Sequence, residues 1–481
     1  VGRKEGKTKA GRGGAGGPRC YIIFLVILAL GAPLARGDER KPEPPAGGRI
    51  KAMRIDGYFD PQSNFLDATA RLQFSQPARD RRLWLAEGLQ LNSVRSGSAA
   101  VTGVQRNSNQ FLVQCPSFDE LEMSYSGSLS PLPDPIEASW ASPADAGAER
   151  LDDCHFLSYI SDFYPHPLPD FAAMKVDLRL PAGWNCLGSG TLLSVSPAPD
   201  GNRFSFDNAE AKGMSLVCGR FRQIDLLPGA LPLRLHAWPG FRLKDYFSKS
   251  EFARLLSFYV DRYGPLDSAE LNVLFRRGHH FGGVSYNGLI VLGVDEKWGR
   301  TCAKARKMIE KRSPLAMSGA GTDLLAHEMA HQWWGGLVSW KSAADNWITE
   351  GMATYSMLLY ARERLGERAW HRLRRKLQGW TKRYAGIGAP AEGARLKLAQ
   401  TDLKAYQAVV YIKPALMMAE LADRIGEGEL FRRLRAFLVE RRYSNVSTAE
   451  FLDMLAAGDT GLRARLEEWI GCRGVPKPLQ N

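Results

Sequence analysis

His327-Glu328-Met329-Ala330-His331, followed after eighteen intervening residues by Glu350, is the stretch on which the reading of this chain turns. On a helix, residues i and i+4 share one face, so both imidazoles reach one metal ion. Glu328 projects beside them, where it can take a proton from a metal-activated water. Glu350 completes a His₂Glu set. Such a set suits zinc and leaves one position open, whereas structural zinc sites are closed by four Cys or His ligands. The competing reading is two core histidines with a solvated glutamate between them.

The flanks favour the helical reading. Thr322 or Asp323 can cap a helix start, Leu324, Leu325 and Met329 supply its apolar positions, and Gly335-Gly336 can end it. Ser342 or Asp345 can open a second helix that carries Glu350 and stops near Gly366. Two helices joined by a short loop bring Glu350 back to the first.

These residues carry a resemblance. HEMAHQWWGGLVSW (327–340) and DNWITEGMATY (345–355) resemble the zinc aminopeptidases of the aminopeptidase-N and leukotriene-hydrolase family, a gluzincin family. Its glutamate-ligand helix reads approximately W-L-N-E-G-F-A, and the spacing of eighteen is that family's. The spacing is not that of thermolysin itself or of the metzincins, whose third ligand is a nearby His. The resemblance implies one Zn²⁺ per chain held by His327, His331 and Glu350, with Glu328 as general base. It implies an α+β fold, in which an N-terminal β-rich, saddle-like domain precedes a mainly helical, thermolysin-like catalytic domain. Many members carry a further large helical domain; the expectation here is a short, two-domain member without it.

Two other motifs follow from the resemblance. The family places a Tyr about sixty residues beyond the glutamate ligand, in a Y-E-K-G context. Tyr411 stands sixty-one residues after Glu350, followed by Ile412-Lys413-Pro414, of which only Lys413 matches. A phenol O–H there stabilises an oxyanion. Tyr406 is a second tyrosine near that position, with core packing as its alternative. The family's G-x-M-E-N edge strand binds substrate backbone, and its Glu grips the free N-terminal amine. The counterpart is Gly283-Val284-Ser285-Tyr286-Asn287, the expected substrate-binding segment. Tyr286 replaces the Glu, and a phenol does not supply the negative charge that an ammonium prefers. Another carboxylate, Asp162 for instance, would compensate. His279 and His280 lie just upstream, as cleft or as ordinary surface histidines. For the ring N–H of a ligand His, Thr354 and Asp345 are the candidate acceptors.

Length and composition set the frame. At 481 residues, two or three domains with a substantial core are expected. Tyr21 to Leu34 is a fourteen-residue uncharged run, short for a membrane span and typical of a signal-peptide core. Residues 1–37 are therefore expected to be a signal peptide or N-terminal anchor, with cleavage before Asp38 and an exported, periplasmic or secreted protein as the result. Membrane contact is expected only if that segment stays attached. It holds seven Arg/Lys and one Glu, so +6 of the net charge of +13 belongs to it and +7 remains. Much of the remainder lies in Arg362 to Arg383, which reads as a solvated basic helix face. No nucleic-acid module is present, and basicity alone is a weak argument for one. Beyond Cys20 there are six cysteines, Cys115, Cys154, Cys186, Cys218, Cys302 and Cys472, none paired at metal-ligand spacing. Export would allow some of them to form disulfides.

Gly37 to Gly48 is Pro- and Gly-rich, and 38–48 reads as a linker. From 49 to 239 the signals are strand and turn: Leu66, Ala68, Ala70, Leu72 and Phe74 alternate, as do Met174, Val176, Leu178 and Leu180. The period becomes helical after Pro239, so 240–481 is the expected catalytic domain. Within it, Ser248-x-x-Glu251 and Ser447-x-x-Glu450 are capping-box patterns, and short strands are expected at Leu271–Phe275 and Leu289–Leu292. The chain is read as a zinc metallopeptidase acting on peptides, with aminopeptidase as the family's default. The alternatives are an endopeptidase or other hydrolase with altered N-terminal recognition, or a catalytically weak zinc-holding binding protein.

Overall fold

The computed structural model describes residues 49–97, 101–129, 154–167, 171–229, 231–266, 268–277, 282–294, 320–384, 403–474 and 479. The apolar run Tyr21–Leu34, the linker, the pair His279-His280 and Cys302 lie outside the described residues. Among those described, no helix is long and apolar enough to cross a membrane.

The first unit is built from β1 (Ile50–Asp60), β2 (Phe65–Trp84), β3 (Leu89–Arg95), β4 (Gly103–Asn107), β5 (Gln110–Ser128), β6 (Cys154–Ser158), β7 (Phe171–Pro181), β8 (Asn185–Gly188), β9 (Thr191–Ala198), β10 (Gly201–Lys212) and β11 (Ser215–Gly219). β3, β5, β2, β1, β7, β10 and β9 form the large sheet in that order, with β4 added on β5. β6, β11 and β8 form a small second sheet. The alternation read from the sequence is the reason. Leu66, Ala68, Ala70, Leu72 and Phe74 of β2, and Met174, Val176, Leu178 and Leu180 of β7, are all buried, while their neighbours face outward. They share one core with Leu157, Cys186, Leu216 and Cys218 of the small sheet. Cys186 and Cys218 face each other across β8 and β11. Their sulfurs are 3.2 Å apart and both are free thiols.

The second unit begins earlier than the change of period suggests. β12 (Arg222–Leu227) and β13 (Leu233–Ala237) pair with each other, and β13 runs parallel to β14 (Leu271–Arg277). β15 (Gly282–Tyr286) and β16 (Leu289–Val294) complete the sheet in the order β12-β13-β14-β16-β15. The expected boundary after Pro239 therefore moves to the turn after Gly219. Strand-period residues up to Ala237 belong to this second sheet, and local periodicity does not say which sheet a strand joins.

The helices are α1 (Lys249–Tyr263), α2 (Ala320–Ala330), α3 (Trp347–Leu365), α4 (Glu367–Arg383), α5 (Leu403–Tyr406), α6 (Lys413–Ile425), α7 (Glu427–Glu440), α8 (Thr448–Ala456) and α9 (Thr460–Gly471). A π-helical turn, Gln407–Ile412, joins α5 to α6. Two short strands, β17 (Val338–Trp340) and β18 (Ser444–Val446), pair between α2 and α8. The capping box at Ser447 forms with Glu450, but that at Ser248 does not. Glu251 is drawn instead to Tyr360, whose hydroxyl donates to it at 2.9 Å, and to Arg254. On α4 the apolar face of Trp370 and Leu377 is buried, while Arg368, Arg372, Arg375, Lys382 and Arg383 face solvent.

Candidate metal centre and cleft

α2 carries His327 and Glu328 and ends at Ala330, so His331 stands on the first residue of the following turn. Leu324, Leu325 and Met329 are buried, which fixes the helix and turns its histidine face inward. Its start lies upstream of the expected caps: Asp323 sits in the first turn, buried, with an Arg364 guanidinium nitrogen at 3.7 Å. Gly336 N–H donates to the His331 carbonyl at 2.9 Å, and Gly335 has φ +133, a conformation that suits glycine. The expected openers of the second helix cap the short turn before it, and Asn346 stands at the N-cap of α3 itself. Ser342 and Asp345 form a capping box around the turn Ala343–Asp345, α3 follows, and Gly366 with φ +77 ends it.

The three expected ligands converge. His327 Nε2 and His331 Nε2 are 3.0 Å apart, and Glu350 Oε2 lies 3.4 and 3.7 Å from them. Ligands about 2.0–2.1 Å from a tetrahedral zinc stand roughly 3.3 Å from one another. The donor set therefore fits zinc by chemistry and by spacing. Orphaned oxygens make the same point: Glu350 Oε2 and both Glu328 carboxylate oxygens are buried and lack a hydrogen-bond partner. Buried carboxylates in that state are costly without a cation. Among the described residues this is the cluster of three or more His, Cys, Asp or Glu side chains that can hold a metal.

Burial controls the protonation of these groups. It pushes the His327 imidazole down to about 3 and lowers that of His331, so both present neutral nitrogens. It pushes the Glu350 carboxyl up to about 7, with His331 and a hydrogen bond from Tyr411 opposing the shift. The Glu328 carboxyl is raised by burial and then by the Glu350 charge. A dication reverses this logic for its ligands. His331 Nδ1 lies 2.9 Å from the Trp334 carbonyl, so Nδ1–H donates there and Nε2 is left to the metal.

That acceptor is neither of the two expected from sequence. Asp345 is occupied by Ser342 and, at 2.7 and 2.8 Å, by the Thr448 backbone N–H and hydroxyl. Thr354 Oγ1 is buried without a partner. A backbone carbonyl carries no side-chain signature, so no sequence motif marks it.

Tyr411 reaches the centre from the π-helical turn. Its ring stacks on His327 with centroids 6.0 Å apart, and its hydroxyl bonds to Glu350. The approach depends on Gly351, where a Cβ would stand 2.5 Å from Pro414 Cβ; the missing side chain lets α3 and α6 touch. Tyr406 lies behind, 5.9 Å from the Tyr411 ring, and its hydroxyl accepts a hydrogen bond from Asn346 at 3.3 Å.

β15 is the edge strand beside α2. Gly283 and Ser285 face the metal helix: a Cβ on Gly283 would meet Glu328 Cγ at 2.6 Å, and Ser285 Oγ accepts from Gln332 Nε2 at 2.7 Å. Gln332 also donates to the Tyr286 carbonyl and accepts from Gly288 N–H. This buried glutamine, which the sequence reading passed over, locks the strand to the metal helix; its signal was its place directly after the second His. Val284 and Tyr286 point the other way, into a cluster with Leu187, Val217 and Phe221 of the first unit and its border. The Asn287 carbonyl accepts from Gly190 N–H at 3.0 Å. Val284 to Asn287 line one cavity together with Glu328, His331 and Glu350. Asp162 is not the substitute carboxylate: it bonds to His166 at 3.0 Å and Asn109 at 2.9 Å and does not line the cavity.

Residues 290–469 match the peptidase family M1 domain. The chain is 23% identical over 289 residues to aminopeptidase 2, mitochondrial, of Saccharomyces cerevisiae, covering 58% of this chain and 29% of that protein. It is 22% identical over 412 residues to a probable aminopeptidase 1 of Sulfurisphaera tokodaii, covering 81% of this chain and 49% of the relative. The chain thus spans half or less of the length of these relatives. Among solved structures, a mutant M1 zinc metallopeptidase from Deinococcus radiodurans superposes with a TM-score of 0.70 at 19% identity, over 91% of this chain and 97% of that one. The same Deinococcus protein bound to a Tyr-Ser-Ala substrate gives 0.69 at 18% identity, over 90% and 96%. The two-unit fold is shared along almost the whole of that protein, and the match to the peptidase family M1 domain falls on the part of the chain that carries the metal helices.

Proposed function

We propose that this protein is a zinc-dependent metallopeptidase that hydrolyses peptide bonds, with aminopeptidase action as the leading reading. The observation that carries it is the convergence of His327, His331 and Glu350 around one point, with the partnerless Glu328 carboxylate buried beside them and a cleft reaching all but the deepest His. Zinc, when bound, supplies Lewis acidity that activates water and polarises a carbonyl.

The chain's own residues do the rest. Glu328 takes the proton of the attacking water and passes it to the leaving amine; burial raises its proton affinity, which suits a base that must later act as an acid. Tyr411 donates its O–H to the developing oxyanion. β15 offers its edge to the substrate backbone, as one more strand. Turnover of a peptide panel with and without chelator tests the reading: hydrolysis that stops on chelation and returns with zinc supports it, and chelator-insensitive hydrolysis removes it. A zinc-holding binding protein without catalysis would bind peptides and cleave none.

The second reading concerns the amine. Tyr286 stands where an amine-gripping carboxylate is expected, and it packs toward Val217 and Phe221. This favours weaker demand for a free N-terminus, and thus endopeptidase or blocked-substrate activity. Matched N-acetylated and free peptides separate the two. We further propose that the protein is exported, on the uncharged run Tyr21–Leu34. N-terminal sequencing from the native host should begin near Asp38; retention of Cys20 in a membrane fraction would mean an anchor instead.

A further inference from the structure

Two thiols meet inside the first unit, and nothing in the peptidase chemistry uses them. Cys186 lies on β8 and Cys218 on β11, directly opposite each other in the antiparallel pair. Directly paired residues point to the same face, with Cα atoms about 4.5 or 5.5 Å apart according to the hydrogen bonding of the pair. Both values fall within the roughly 4.4–6.8 Å that a disulfide spans. The two Sγ atoms stand 3.2 Å apart. A disulfide bond is about 2.05 Å long, so closure asks each sulfur to move by less than about 1 Å.

The surroundings suit the bond. Cys186 is 2% exposed and Cys218 is fully buried, in the core shared with Leu157, Trp184, Phe206 and Leu216. Besides its neighbour, the Cys186 sulfur has the Leu187 carbonyl at 3.8 Å, and a thiol is a weak donor. Oxidation therefore gives up no strong hydrogen bond, and an apolar disulfide matches an apolar core. The same two strands reach the cleft. Ser189 N–H donates to the Ser215 carbonyl at 2.8 Å, and Ser215 N–H donates to Ser189 Oγ at 3.1 Å. Ser189 lines the metal cleft, and Gly190 N–H donates to the Asn287 carbonyl at 3.0 Å. A bond between Cys186 and Cys218 clamps the sheet that carries this part of the wall.

We propose that Cys186 and Cys218 close to a disulfide that staples β8 to β11 when the chain folds in contact with a thiol–disulfide oxidase. The inference is independent of the peptidase reading and shares only an oxidising compartment with the export reading. One thiolate of the chain attacks the oxidase disulfide and forms a mixed disulfide. The other thiolate attacks that sulfur of the chain and expels the oxidase thiolate. The S–S bond forms, two electrons stay with the oxidase as its dithiol, and the two thiol protons pass to it through solvent. Burial pushes the Cys218 thiol up, and the thiolate is the nucleophile, so the exchange belongs to folding, before the core covers both sulfurs. The link spans 32 positions of chain, and closing such a loop stabilises the fold by restricting the unfolded state.

The test uses the full chain made with zinc in a bacterial compartment that carries a thiol–disulfide oxidase, and again in a reducing compartment. Alkylation of the denatured protein and peptide mapping should find Cys186 and Cys218 linked in the first preparation, lighter by about 2 Da than the two thiols, and both alkylated in the second. Reducing the linked protein should lower Tm by roughly 5–10 °C. The double variant Cys186→Ala, Cys218→Ala should have a Tm that reductant no longer moves. Mapping and melting of the wild type need no variant, so a variant that fails to fold leaves the test intact. Free thiols at both positions in the first preparation, a bridge from either one to Cys115 or Cys154, or a wild-type Tm indifferent to reductant overturns the staple. A link that forms in this host but is absent from protein of the native host leaves the staple standing and counts against export.

Discussion

The metal centre and the cleft wall beside it are built in opposite ways. The centre is local: His327, Glu328 and His331 sit on one helix and turn, and Glu350 on the next helix. The wall is assembled from distant segments: Lys212 closes β10, Ser339 and Trp340 follow the metal turn, and Tyr286 ends an edge strand. Helical geometry fixes a local constellation once the period is set. A wall made of separate segments holds only as well as the contacts between them.

The largest effect expected is on the metal. His331→Ala removes one of three ligands, and metal analysis should fall from about one zinc per chain to near none, with activity lost. A fully active variant without metal would break the local half of the comparison. Glu328→Gln should keep its zinc and lose turnover by at least about a hundredfold, the low end for general acid–base catalysis. Activity near wild type would show that the base has been misassigned.

Tyr411→Phe comes next. Its hydroxyl contacts Glu350 at rest and is expected at the oxyanion in the transition state. kcat should drop by about ten- to a hundredfold with a smaller change in KM. A pure KM effect would remove the oxyanion role.

A smaller effect links the centre to stability. The folded Glu350 carboxyl titrates at about 7 without metal, against an ordinary 4.5. Between those values the folded state holds the proton that the unfolded chain releases, so this group lowers the stability of the metal-free protein as pH rises, with the full loss reached above about pH 7. Zinc needs the carboxylate ionised and removes the penalty. The gain in Tm on adding zinc should therefore be larger at about pH 8 than at about pH 5. An increment independent of pH would contradict the shift.

The smallest effect falls on Tyr286. Free and N-acetylated versions of one peptide should differ modestly in kcat/KM, and Tyr286→Glu should widen the gap toward the free amine by roughly tenfold. Strict rejection of the blocked peptide by the wild type would mean that another acidic group has taken over the clamp.

Several features were legible in the sequence because they depend on near neighbours. The alternation in β2 and β7 gave the β-rich unit, and the glutamate helix stops at Gly366 as expected. The spacing of His327, His331 and Glu350 pointed to three side chains that the structure brings together, and the resemblance pointed to Tyr411. What failed did so through competition from afar. Glu251 left its expected cap for Tyr360, more than a hundred residues away. Asp345 capped its own turn and then tied to Thr448 instead of supporting a ligand.

The sequence by itself determined the metal chemistry, since ligand identity and helical period are local properties of the chain. Only the tertiary structure decided how that chemistry is held and what it meets. Gln332 locks β15 to the metal helix, the missing Cβ of Gly283 and of Gly351 lets backbones approach Glu328 and Tyr411, and the Trp334 carbonyl orients His331. β10 delivers Lys212 to the same cleft. The physical reason is range: a motif records what lies within a few turns of backbone, whereas a cleft is defined by contacts between segments far apart in the chain.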